Sequence, residues 1–375
     1  MLPILKIKPK KKSIVYLKFV FKYNNVLKNI PIKRLISSLF LLSILLYVQD
    51  SIAQAEKIIL DTDMGSDCDD VGAMAVLHHF ADQGKVEILG VIYSSGKVPY
   101  GVGIIDAINV YYGRPEILIG ASHDLSFGDP KDKMHSEKLA KDTIAYKNRL
   151  IHNLDAMEQT ALNRQLLIQA PDNSITYITI GHTKGLYELI KSSPGSDSPL
   201  TGLELVSRKV KRWVALGALG ASNEEGLGVK DWNFFRNNTA TYTHYLIDHF
   251  PKPAYFVDAG ANVFTGESLE ALNPGNILRT AYRDWLWNVE HKKIRDQRPS
   301  WDLATVYFSV MGTGDFLQEL GPGALIFDPE EGSRWVSNRV NPLHHFILQR
   351  KDVDKAFAVK LNAAISAKPE NSIVK

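Results

Sequence analysis

One cysteine, Cys68, stands in the whole chain of 375 residues, which excludes an intrachain disulfide and leaves the redox compartment open. A basic face is missing too. The formal charge of +3 comes from residues 1–55, which hold ten of the 44 Lys and Arg residues and one acid, Asp50. Without them 34 basic residues oppose 40 acidic ones, and no clustered basic run remains, so nucleic acid is excluded as a partner. Internal repeats and low-complexity tracts are absent as well. With 45% hydrophobic and 23% charged residues, the composition is that of a folded globular chain, large enough for one big α/β domain.

The N-terminus carries Lys33-Arg34, an apolar stretch from Leu35 to Val48, and Ala53-Gln54-Ala55 before a charged start at Glu56. This layout is that of a signal peptide. Its apolar part is roughly 14 residues, short of the about 20 that a membrane helix needs. The expectation is export to the periplasm or the exterior, with no stable membrane span once the signal is removed. A Lys-rich stretch over residues 6–28 precedes it and is longer than such leaders usually carry. We therefore expect a basic leader and signal over 1–55, one domain over 56–366 and a tail over 367–375.

From Lys57 onward short apolar runs alternate with helix-like segments. Strands are expected at Lys57–Leu60, Val86–Tyr93, Ile117–Ile119, Ile175–Ile180, Trp213–Leu216 and Ala254–Val257, each bounded by Gly, Pro or polar residues. Helices are expected from Asp69 through His79 and over Val102–Tyr112, Ser136–His152 and Leu186–Lys191; residues 192–202 read as a surface loop. Such alternation implies an α/β fold, a single domain with a mostly parallel central sheet flanked by helices. In open sheets of this kind ligands bind beyond the carboxyl ends of the strands. The loop after Leu60 sits in that place.

That loop, Asp61-Thr62-Asp63-Met64-Gly65-Ser66-Asp67-Cys68-Asp69-Asp70, holds five aspartates in ten residues. Their mutual repulsion demands a cation or positive partner. An acidic surface turn would account for Asp69 and Asp70, which complement a helix N-terminus, and for no others. An EF-hand fails because its twelfth position would be Gly72 where a bidentate Glu is required. A magnesium-dependent aspartyl phosphatase also places Asp-x-Asp after its first strand, though with Gly-Thr following rather than Met64-Gly65. Cys68 lies among carboxylates that suppress thiolate chemistry, so it is given no role.

The loop resembles the N-terminal signature of the inosine–uridine nucleoside-hydrolase family, Asp-Thr-Asp-x-Gly-x-Asp-Asp, expanded here by two residues before Asp69-Asp70. Further segments resemble that family in order: Leu89-Gly90-Val91 to Gly96, Asn109 to Arg114, Thr179-Ile180-Gly181, Val214 to Ala218, Lys230 to Phe235 and Trp301-Asp302-Leu303-Ala304. The resemblance implies a nucleoside-hydrolase-like fold and calcium-dependent hydrolysis of the N-glycosidic bond of a ribonucleoside or related N-riboside. It implies calcium held by Asp63, Asp70, Asp302 and the Ile180 carbonyl, an all-oxygen set suited to a hard cation. Asp63 would be the general base, and Asp69 and Asn233 would grip ribose hydroxyls with Asp231 close by. The partner is a small-molecule nucleoside, and a homo-oligomer is left open.

Three departures from the pattern bear on substrate. Lys97 stands where many members have Asn and either meets an anionic substituent or is simply solvated. Asp231 replaces a Glu. Trp301 stands where a leaving-group His often sits; an indole cannot deliver a proton, and it either stacks on a flat base or only packs. His135 resembles a mobile-loop His and is the remaining candidate acid, against an ordinary solvated His. His78, His79, Trp285 and Trp287 read as helix-face packing. Two other functions stay open at this point: the phosphatase, and a non-catalytic calcium-dependent sugar binder.

Overall fold

The structure, a computed structural model, describes residues 55–371. The expected leader and signal peptide lie outside these residues. Among the described residues no helix is long and apolar enough to cross a membrane.

The central element is β1 (Glu56–Thr62), whose Ile58, Ile59 and Leu60 are wholly buried. A strand covered on both faces needs a continuous apolar run, and β1 has one. Alternate side chains serve opposite layers. Ile58 and Leu60 pack with residues of α1 (Asp69–Asp82), and Ile59 packs with Tyr177 and Leu186 on the other face.

The chain continues through β2 (Val86–Tyr93), α2 (Gly101–Tyr111), β3 (Leu118–Ala121), β4 (Met157–Glu158), α3 (Gln159–Gln169), β5 (Ile175–Thr179), α4 (Lys184–Lys191), α5 (Gly202–Lys209), β6 (Val210–Leu216), α6 (Ala240–His249) and β7 (Ala254–Asp258). Then follow β8 (Phe264–Thr265), α7 (Ile277–Trp285), β9 (Arg298–Pro299), α8 (Trp301–Met311), β10 (Leu317–Glu319), β11 (Ala324–Asp328), β12 (Gly332–Val336), β13 (His344–Gln349) and α9 (Asp354–Ile365). Nine strands form one sheet in the order β10-β13-β7-β6-β5-β1-β2-β3-β4. Every pairing is parallel except β10 with β13. The order runs from β1 outward to β4 on one side, and from β5 outward on the other. β1 and β5 are neighbours, so the loops leaving their carboxyl ends diverge and open a crevice at this switch point.

The expected mostly parallel sheet with flanking helices is present, and β2 has the expected bounds. The expected single helix over 136–152 is instead two short turns, Ser136–Lys141 and Thr143–Tyr146. Asp142 breaks it: its carboxylate accepts the Ala145 N–H and starts a new turn. Beyond that, Leu150 N–H donates to Asp106 Oδ2 at 2.9 Å, which draws the segment out of a helix. The strands after α8 carry no clear apolar alternation and were not expected. His78 is a core residue as read, stacked on Tyr112 and bonded to Asn109. Trp287 is not: it is 60% exposed on a π-helical turn, Leu286–Glu290, that turns it away from the core.

Backbone proximity of the β1 and β5 loops leaves no space for a side chain between them. Ile180 N–H donates to the Asp61 carbonyl at 2.8 Å, and a Cβ at Gly181 would come within 2.6 Å of the Asp63 nitrogen. Gly181→Ala must therefore push the Asp63 backbone aside. We expect it to cost about 1–3 kcal/mol in urea unfolding; a stability equal to wild type would show that the two loops are not in such contact.

Candidate metal centre and active site

The loop after β1 descends into α1, with Asp69 and Asp70 in the helix's first turn. Asp302 occupies the first turn of α8, which packs against α1. Two helix N-termini thus meet at the carboxylates and lend them partial positive charge. The loops bring three more acids, Asp63, Asp67 and Asp129, to the same place. Asp63, Asp69, Asp70, Asp129 and Asp302 are all buried, and Asp67 is partly so. Two tight groupings result, Asp67 with Asp69 and Asp302, and Asp63 with Asp129 and His182; within each, ligand atoms lie within 4.8 Å of one another.

Arg298 is the main internal counter-charge. Its guanidinium lies 3.1 Å from Asp67 Oδ2 and 3.5 Å from Asp69 Oδ1. It is held flat by Trp285 and Trp301, whose ring centroids lie 4.2 and 5.0 Å from it. One guanidinium does not balance this many carboxylates. Burial first, and then neighbouring charge, raises the pKa of Asp63, Asp69, Asp70 and Asp302 well above the ordinary range. Burial likewise pushes up the Cys68 thiol, with Asp67 and Asp69 adding to it, so that thiolate chemistry is suppressed.

The residues present suit a hard divalent cation. They form an all-oxygen set, and Asp69 Oδ1 and Asp70 Oδ2 are buried atoms without a hydrogen-bond partner among the described residues. The other Asp70 oxygen accepts the Thr62 hydroxyl, which fixes the carboxylate's orientation.

Around this cluster lies a cavity of about 420 Å³, within the range of about 300–1,000 Å³ usual for small-molecule sites. Its lining combines Asp63, Asp67, Asp69, Asp129 and Asp302 with an apolar part that includes Leu216, Leu219, Trp285, Val289 and Trp301. A polar, charged region beside flat indoles can hold a molecule with a hydroxyl-rich end and a flat apolar end.

No protein-family profile matches the chain, and no curated protein matches it. Solved structures do. A plant nucleoside hydrolase superposes with a TM-score of 0.57 at 16% identity, covering 83% of this chain and 99% of that one. An inosine–guanosine nucleoside hydrolase gives 0.55 at 11% identity, over 83% of this chain and 98% of its own. The fold is that of the nucleoside hydrolases. A type III effector protein, XopQ, solved in complex with adenosine diphosphate ribose, shares it with a TM-score of 0.53 at 14% identity, over 84% of this chain and 93% of its own.

Within this nucleoside-hydrolase-like fold, Asp63, Asp69, Ile180, Asp231, Asn233, Trp301 and Asp302 all line the cavity. Asn233 Nδ2 donates to the Ile180 carbonyl at 2.7 Å, using one of that oxygen's two lone pairs. Asp231 accepts the backbone N–H groups of Ala218, Asn233 and Phe234, so its carboxylate holds the loop together. His135 lies elsewhere: it is 53% exposed, in a separate hollow, with Asn288 at 3.0 Å and Asp284 at 3.5 Å. Lys97 is exposed and does not line the cavity. Asp61, inside β1, is bonded to the Tyr177 hydroxyl at 3.3 Å and lies outside the cavity lining. Trp285 packs as read and also lines the cavity, its Nε1–H donating to the Ser66 carbonyl at 2.8 Å.

Asp129, His182 and Arg298 were not singled out from the sequence, and Asp67 was counted in the acidic loop but passed over in favour of Asp69 and Asp70. Asp67 had a signal, because it sits inside the acidic loop. The other three stand alone in their segments and acquire meaning only where loops converge.

The raised carboxyl pKa values fix a sign for pH dependence. An acid whose folded pKa exceeds its unfolded value of about 4 holds more protons when folded, so stability falls as pH rises between the two values. Burial, opposed by backbone N–H donors, puts Asp231 at about 6, and burial puts Asp61 at about 8 despite hydrogen bonds from Ser94 and Tyr177. Thermal unfolding in chelator should therefore show a melting-temperature difference, wild type minus Asp231→Asn, that declines from pH 4 through pH 6. A flat or rising profile would contradict the electrostatics described.

Proposed function

We propose that the protein hydrolyses the N-glycosidic bond of a ribonucleoside or related N-riboside, releasing ribose and a free base, with calcium as its cofactor. The observation that carries this reading is the juxtaposition, in one cavity of a nucleoside-hydrolase-like fold, of buried carboxylates with an indole-lined apolar wall. Two of the proteins that share the fold are nucleoside hydrolases, and a third was solved with a ribose-containing nucleotide.

Cleavage passes through an oxocarbenium-like sugar, which needs negative charge beside the ring, an activated water and somewhere for the base to go. In the proposal Asp63, Asp70, Asp302 and the Ile180 carbonyl hold calcium. When bound, such an ion fixes sugar hydroxyls and lowers the pKa of a coordinated water. Asp63 takes a proton from the attacking water. Asp69 and Asn233 accept or donate to ribose hydroxyls, and Trp301 stacks on the departing base. His135 and Lys97, being outside the cavity, carry no step. The phosphatase reading rested on the position of one Asp-x-Asp pair, and the fold removes that support. The signal-like segment before Glu56 supports an exported enzyme.

The test is reducing-sugar release from a panel of purine and pyrimidine nucleosides. Wild type should release ribose from at least one of them, and Asp63→Asn should lower the rate by about 10²–10⁴-fold, as loss of a general base does. Full activity in Asp63→Asn, or no sugar released from any nucleoside, would overturn the proposal.

A further inference from the structure

Beside the carboxylates assigned to calcium stands a histidine that the proposed hydrolysis does not use. His182 follows β5, is wholly buried, and has both ring nitrogens without a hydrogen-bond partner among the described residues. Its Nε2 nevertheless lies 3.3 Å from Asp129 Oδ1 and 3.5 Å from Asp63 Oδ2. A charge-assisted hydrogen bond from a ring nitrogen to a carboxylate closes to about 2.7–2.9 Å and points at the oxygen. Here neither distance nor direction does so. The nitrogen stands within 3.5 Å of both carboxylates without a formed hydrogen bond to either.

We propose that His182, Asp129 and Asp63 form a second divalent-cation site, for zinc or a similar borderline transition metal, with Asp63 shared between it and the calcium position. Each of the three residues offers a ligand atom, and these lie within 4.8 Å of one another, so small side-chain shifts bring them to the about 3.3–3.4 Å that ligand atoms keep around a tetrahedral ion. The donor set also differs in kind from the all-oxygen group next to it. One imidazole and two carboxylates suit zinc, cobalt or manganese better than calcium.

The surroundings are those of a held ligand set. Asp129 Oδ1 accepts Trp232 Nε1–H at 2.8 Å and Asn237 Nδ2–H at 2.9 Å, while its Oδ2 is buried and lacks a partner among the described residues. One carboxylate oxygen is thus anchored by outer donors and the other is left free, as at protein metal centres. Phe127 packs edge-on to the imidazole at 5.6 Å, which limits its rotation. Asp63 and Asp129 line the large cavity and His182 lies behind them. Three protein ligands with access to a cavity leave a further coordination position for a water or substrate oxygen, the arrangement of catalytic rather than structural zinc.

The shared Asp63 rests on the calcium position proposed above, but metal binding is read without substrate, so its outcome is separate from that of the hydrolysis assay. Full-length untagged protein is stripped with chelator, equilibrated with excess calcium and titrated with cobalt(II), with bound metal counted by mass spectrometry and the visible spectrum recorded. Wild type should bind one cobalt per chain in the presence of calcium, with ligand-field bands of a nitrogen-and-oxygen site. His182→Gln and Asp129→Asn should weaken cobalt binding by at least about 10-fold. Trp232→Phe, which deletes only an outer donor to Asp129, should also weaken it, by about 10–100-fold. Failure of calcium-loaded wild type to take up cobalt, which needs no variant to fold, would overturn the proposal. So would undiminished cobalt binding in His182→Gln.

Discussion

Crowding of negative charge at the carboxyl ends of β1 and β5 is the constraint on which the rest of the molecule depends. Five buried aspartates and the partly buried Asp67 share one region, where Arg298 pairs with Asp67 and Asp69. Two like charges 4 Å apart at an effective dielectric constant of about 20 repel by about 4 kcal/mol, so such a group is not tolerated without compensation. Much of the local architecture supplies it. Two helices, α1 and α8, direct their N-termini here, and Trp285 and Trp301 clamp the one guanidinium in place. What these leave unbalanced is the room for a bound cation.

The same crowding orders the cavity. Carboxylates from the loop after β1 and from the start of α8 lie beside indole and aliphatic side chains, so a ligand with hydroxyls at one end and a flat ring at the other meets a suitable surface at each. Asp63 belongs to the group containing an imidazole and also feels the charge of Asp70 and Asp302. That position couples the proposed base to both halves of the cluster. Asn233 bonding to the Ile180 carbonyl ties the loop after β6 to the loop after β5, and Asp231 stiffens it through three backbone donors.

Legibility in the sequence followed physical strength of signal. Ile58-Ile59-Leu60 running into Asp61 and Asp63 announced a buried strand feeding an acidic loop, because a two-sided strand must be continuously apolar and clustered carboxylates are costly. The strands β1, β2, β3, β5, β6 and β7 were readable for the same reason, whereas α3, α5, α6 and the two-residue β4 were not among the expected elements. The C-terminal strands were not, since the edge pairing and hairpin that β10 to β13 make leave mixed, half-exposed residues such as Arg334 and His345. Within the site, residues on the expected motifs largely converge, while His135 and Lys97 do not reach the cavity. Asp129, His182 and Arg298 could not have been assembled from their spacing, because each comes from a different segment and gains its role only where those segments converge in the fold. The helix expected over 136–152 failed at two side chains, Asp142, which caps a new turn, and Asp106, which takes the backbone N–H groups of Arg149 and Leu150.

The most direct test of the account is the thermal unfolding of the full chain at neutral pH, first in chelator and then with calcium returned in steps. A cation that binds only the folded state stabilises it by RT ln(1 + [L]/Kd), about 2.7 kcal/mol at 100 times Kd. The melting temperature should therefore climb steadily with the logarithm of calcium concentration, and Asp302→Asn should blunt the rise. A melting temperature indifferent to millimolar calcium would contradict the claim that these buried carboxylates are arranged around a cation.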